Sequence, residues 1–156
     1  MIMVKKVKAF FLFDTTTKLL FVEAFFLLAW ARFLKSLPFS KVVPLLGKQM
    51  CETSLSYNES HLKLIRSVSL AVNVMSRYTF WESMCLVKAI TAMKMLERRK
   101  IESTLYLGTG KDDAGKMIAH AWLRSGPFYL TGAEEKNNFT IIGKFAKQIS
   151  LTNKGD

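Results

Sequence analysis

The sequence predicts an α+β domain in which helices come first and an antiparallel sheet follows. Three observations lead there. Apolar residues recur at helical spacing in successive stretches before residue 100, short β-rich runs separated by turn formers take over from Ser103, and half of the 156 residues are hydrophobic. A chain of this size buries about 70% of the surface it exposes when unfolded, enough for one core.

The first helix is expected from Lys18 to Leu37, a run of good helix formers halted by Pro38. Pro44 and Gly47 then predict an irregular stretch, and Cys51 to Ser60 is polar. A second helix follows from the spacing of Leu64, Val68, Ala71, Val72 and Met75, with Asn58 or Ser60 as its cap. The third carries Cys85 and an apolar stripe of Leu86, Ala89, Ile90, Met93 and Leu96. Arg98, Arg99 and Lys100 close it, where cations suit the negative end of the helix dipole. Strands are expected at Thr104 to Leu107, Met117 to Arg124, Phe128 to Thr131 and Phe139 to Ile142, with turns at Gly108-Thr109-Gly110 to Gly115 and at Ser125-Gly126-Pro127. The division that results is an N-terminal helical region over 1–56 and a core over 57–156.

Composition narrows the function classes. The net charge is +11, but the basic residues are dispersed: residues 1–78 carry 11 basic and 4 acidic side chains, residues 79–156 carry 12 and 8. No aromatic-rich basic motif of the nucleic-acid-binding type is present, so a solvated basic surface is expected and a nucleic-acid partner is not. Met1 to Lys8 is basic and precedes Ala9-Phe10-Phe11-Leu12-Phe13, a run too short for the apolar region of a signal peptide. Leu19 to Leu34 contains Glu23 and Arg32 and falls short of the roughly 20 uncharged residues that span a bilayer. Membrane contact is therefore not expected. Cys51 and Cys85 stand 34 positions apart, and His61 and His120 are the two histidines. No close pair of ligands seeds a zinc site, and reduced cytoplasmic thiols are expected.

Thiol catalysis needs a thiolate, and a helix start supplies free N–H groups and a dipole that favour the anion. Ser83 as N-cap would put Cys85 at the second helical position; a capping box from Thr79 to Glu82 would put it in the second turn. His120 lies in Ile118-Ala119-His120-Ala121-Trp122-Leu123, a strand on which His120 and Trp122 share a face. If that face meets the start of the Cys85 helix, the two form a nucleophile and a general base, walled by Trp122.

Four segments in order carry a resemblance: Trp81-Glu82-Ser83-Met84-Cys85-Leu86-Val87-Lys88-Ala89, Leu96-Glu97-Arg98-Arg99-Lys100-Ile101, Thr104-Leu105-Tyr106-Leu107-Gly108 and Ala119-His120-Ala121-Trp122-Leu123. Together with Leu130-Thr131-Gly132 and Phe139 to Phe145, they resemble the leader peptidases of lasso peptide biosynthesis. That resemblance implies a papain-like, transglutaminase-like core, a catalytic helix packed on an antiparallel sheet, with Cys85 and His120 as catalytic residues and no cofactor or metal. It implies a cytoplasmic cysteine peptidase that removes the leader from a ribosomally made precursor. Its partners would be that precursor peptide, a separate leader-recognition protein contacted by the N-terminal region, and a lasso cyclase.

The sequence departs from this pattern twice. The third catalytic member, usually an Asp on the strand after the histidine, is missing, since no Asp occurs between Asp113 and Asp156. The turn at Ser125-Gly126 is expected to bring Thr131 or Gly132 opposite His120, leaving Glu134, Thr131 or a backbone carbonyl as supporters of the imidazole. Lys100 also replaces a helix-ending Gly that is common in the family. Two other readings stay open: acyl transfer to an amine on the same fold, and a non-enzymatic basic helical adaptor in which Cys85 only packs.

Overall fold

A computed structural model describes residues 11–80 and 84–150. Helix α1 runs over Thr15–Lys35. Asp14 starts it by accepting hydrogen bonds from the Thr17 amide and hydroxyl, which also holds the Asp14 carboxyl below its usual range. Leu20, Ala24, Leu28, Ala31 and Leu34 form its buried stripe. The outward side carries Leu19, Val22, Phe26 and Phe33, all exposed.

Helix α2, Phe39–Leu46, occupies the stretch expected to be irregular. Pro44 sits inside it and removes one helical hydrogen bond. Burial of Val42 and Leu46 on one face compensates, which is how tertiary packing overrides propensity in short helices. Gly47 follows at φ 107°, where a side chain would strike the Ala146 carbonyl. This close pass lays down a two-residue strand, β1 (Lys48–Gln49), against the last strand.

Helix α3, Glu59–Met75, is capped by Asn58 through the Ser60 amide, as the sequence indicated. Helix α4 spans Cys85–Arg98. Its C-terminus closes with Ile101 N–H bonded to the Leu96 carbonyl and Lys100 N–H to the Glu97 carbonyl, with Lys100 in the left-handed region at φ 58°. The basic end does more than answer the dipole: Arg99 makes a two-pronged bond to Glu23 of α1, joined by Arg98 at 3.4 Å.

The sheet consists of β1, β2 (Ser103–Lys111), β3 (Met117–Ser125), β4 (Phe128–Thr131) and β5 (Thr140–Lys147) in the order β1-β5-β2-β3-β4, antiparallel throughout. The Gly108-Thr109-Gly110 segment, expected as a turn, continues β2 instead. The reversal falls at Asp112, whose carboxylate accepts from the Ala114 and Lys116 amides. Glycine serves at 108 because a Cβ there would come within 2.9 Å of Phe139 and of the Trp122 ring. Leu105, Ala121, Leu123 and Phe145 of the sheet share one buried core with α1, α2, α3 and α4. Strand alternation directs Tyr106, His120, Trp122 and Arg124 to the opposite face.

Candidate functional site

Cys85 is the first residue of α4. Met84 precedes it as N-cap in extended conformation and makes no side-chain hydrogen bond to the helix. The positive end of the α4 dipole thus lies at Cys85, one residue earlier in the helix than a Ser83 cap would have it. Ser83 and the Glu82 of the alternative capping box lie outside the described residues. The Cys85 side chain is half-buried and packs on the core edge. Lys35, the last residue of α1, brings its ammonium to 3.7 Å from the Met84 sulfur, adding a cation beside this helix start.

His120 lies in β3, paired with Gly108 of β2. The imidazole lies between two aromatic rings, with centroid separations of 4.9 Å to Phe139 and 5.8 Å to Trp122. Trp122 stacks in turn on Tyr106 at 5.6 Å. Trp122 shares the face of His120, as strand alternation requires, and Phe139 is the second ring against the imidazole.

Of the supporters considered for the imidazole, one is bonded to it: His120 Nε2 lies 2.9 Å from the Gly132 carbonyl oxygen. Glu134 is exposed. Thr131 stands opposite Leu123 rather than His120, because the hairpin pairs Ser125 with Phe128 and a bulge between Leu123 and Arg124 adds one residue to that register. Its hydroxyl is buried and has no hydrogen-bond partner. The structure does not join Cys85 to His120 by a hydrogen bond. Cys85 packs against the helical core, while His120 emerges on the opposite face of the sheet.

Sequence reasoning overlooked Arg124, which is 3% exposed and organises that outer face. Its guanidinium donates to the Tyr106 hydroxyl at 2.9 Å, the Gly126 carbonyl at 2.6 Å and the Thr53 carbonyl at 3.0 Å, and lies 3.6 Å from Glu52. The segment 52–54 is thereby strapped across the sheet. Lys144 completes the group with a 2.8 Å bond to Glu52, which holds the Glu52 carboxyl below its usual range against the opposing effect of burial. Burial pushes the Tyr106 hydroxyl up, opposed by the Arg124 bond. An arginine near the end of a β-rich strand, on the same face as Trp122, was the available signal.

Among the described residues no group of three or more His, Cys, Asp or Glu side chains is placed to hold a metal ion, and no helix is long and apolar enough to cross a membrane. Comparisons with curated proteins and with solved structures find no match. The family model described as the transglutaminase-like superfamily matches residues 25–144, a span that takes in both Cys85 and His120. With its helix-initial cysteine, strand histidine and antiparallel α+β core, the chain belongs to the transglutaminase-like superfamily.

Proposed function

We propose that this protein is a cysteine peptidase that removes the leader from a ribosomally synthesised lasso peptide precursor, with Cys85 as nucleophile and His120 as general base. The observation that carries the reading is the position of Cys85 as first residue of α4, at the positive end of its dipole, in a chain of this superfamily. The ordered resemblance in sequence narrows the substrate to a leader peptide.

In the first step His120 takes the thiol proton and the Cys85 sulfur attacks the carbonyl carbon at the leader–core junction. N–H groups at the start of α4 face the developing oxyanion. The C–N bond breaks, His120 returns its proton to the departing core amine, and the leader remains as a thioester on Cys85. Water, deprotonated by His120, releases the leader carboxylate and restores the thiol. Thiol and imidazole must close up for this chemistry, and catalytic hydrogen bonds commonly tighten only when substrate binds. The exposed apolar row Leu19, Val22, Phe26 and Phe33 on α1 supports association with the separate recognition protein.

The test is incubation with a cognate precursor and mass spectrometry of the products. Cys85→Ala and His120→Ala should abolish cleavage while circular dichroism stays unchanged; retained cleavage by Cys85→Ala would sink the proposal. The superfamily match equally suits acyl transfer, and a crosslinked product in place of a free leader would establish that reading. A purely packing role for Cys85, as in a non-enzymatic adaptor, predicts that iodoacetamide modifies it no faster than Cys51.

A further inference from the structure

We infer that the main-chain carbonyl of Gly132 is the positioning group of the Cys85–His120 pair, taking the place of a side-chain carboxylate and fixing His120 as the Nε2–H tautomer with Nδ1 as its basic nitrogen. This rests on the cysteine-peptidase reading above and supplies its missing third member.

Valence fixes the tautomer. A peptide carbonyl oxygen only accepts, so the 2.9 Å bond at Nε2 requires the neutral imidazole to carry its proton there. The lone pair is then on Nδ1, and the other nitrogen's partner sets which one acts as base. Phe139 and Trp122 flank the ring and oppose its rotation. Among the described residues the side chains considered for the role are placed elsewhere: Thr131 faces the core opposite Leu123, and Glu134 is exposed.

The local backbone is built for this approach. Gly132 has φ 69°, and a Cβ there would lie 2.5 Å from the Ala121 carbonyl, 3.0 Å from Trp122 Cβ and 3.0 Å from His120 Nε2. A side chain cannot fit where the chain passes this close to β3. The same tight pass that excludes one delivers the carbonyl to the imidazole. The β3–β4 bulge sets the register that brings residue 132 to this point. A neutral carbonyl also orients the ring without adding a group that titrates in the acid range.

The decisive measurement is a long-range proton–nitrogen correlation spectrum of the wild-type protein labelled with 15N-histidine, recorded above the imidazole titration, with His61 as internal reference. The expected result is a protonated, pyrrole-type Nε2 and an unprotonated, pyridine-type Nδ1 for His120. The opposite tautomer overturns the inference, whatever the activity. Gly132→Ala should convert that signal to a tautomer mixture and slow iodoacetamide modification of Cys85 severalfold relative to Cys51. An unchanged tautomer and rate in a folded Gly132→Ala protein also overturns it, and if that variant does not fold the wild-type spectrum decides alone. His120→Ala separates the two levels: it should slow Cys85 modification by at least about tenfold. An unchanged rate there removes the pair on which the inference rests, even with the Nε2–H form observed.

Discussion

Lys100→Gly should make the protein more stable. Lys100 is held at φ 58°, where the Cβ of an L-residue crowds its own backbone at a cost of about 1–2 kcal/mol. Glycine relieves this, although its greater freedom in the unfolded chain takes back about 0.5–1 kcal/mol. The net gain is about 1 kcal/mol, which for a chain of this length raises Tm by about 2–4 °C. Nothing offsets it at the side chain: Lys100 is exposed, and its ammonium has no hydrogen-bond or ion-pair partner among the described residues. The two backbone bonds that close α4, from Ile101 and Lys100, are kept. Thermal unfolding followed by circular dichroism, with Lys100→Ala as control, is the assay. Alanine keeps the Cβ and should give no comparable gain. A Tm for Lys100→Gly at or below wild type, or an equal rise in Lys100→Ala, would refute the backbone argument.

Arg124→Met leaves the Gly126 and Thr53 carbonyls and the Tyr106 hydroxyl without their donor, and should cost about 3 kcal/mol or more, measurable as a shifted urea midpoint. Thr131→Val replaces a buried, unpartnered hydroxyl by a methyl of similar shape and should stabilise by about 1 kcal/mol in the same titration. The Glu52–Lys144 bond gives stability a pH dependence. Because the folded Glu52 carboxyl titrates below its ordinary 4.5, its contribution is full above that pH and is lost as pH falls through the lower folded value. Glu52→Gln should therefore flatten this part of the acid limb, a change visible in thermal unfolding recorded from neutral pH downward.

The helix–then–sheet order was legible because periodicity carries it: the stripes of α1, α3 and α4 and the β-rich runs after Ser103 are local signals. What was not legible came from contacts distant in sequence. Pro44 argued against α2, yet the packing of Val42 and Leu46 outweighs it, a balance set by residues elsewhere in the chain. The glycines at 108 and 110 read as a turn, and they are strand residues because aromatic rings from β3 and from Phe139 lie over them. At the candidate site, residue type was enough to single out Cys85 and His120 as candidates. The partner of His120 could not be read in this way, since a backbone carbonyl has no signature in sequence and the turn register, with one bulged residue, sets Thr131 opposite Leu123.

The unequal lengths of the strands bear on how the molecule behaves in concentrated solution. Both borders of the sheet are short, two residues at β1 and four at β4, and the Leu130 carbonyl of β4 is already taken by Ser69 and Asn73 of α3. The three long strands lie between them but outrun them: β5 pairs with β1 only at Phe145 and Ala146, and β3 with β4 only from Leu123 to Ser125. The ends of β5 and β3 left beyond these borders carry the exposed Ile141, Ile142, Met117 and Ile118, and are where a neighbouring molecule would extend the ladder. Charged substitutions at these four positions are the way to control self-association.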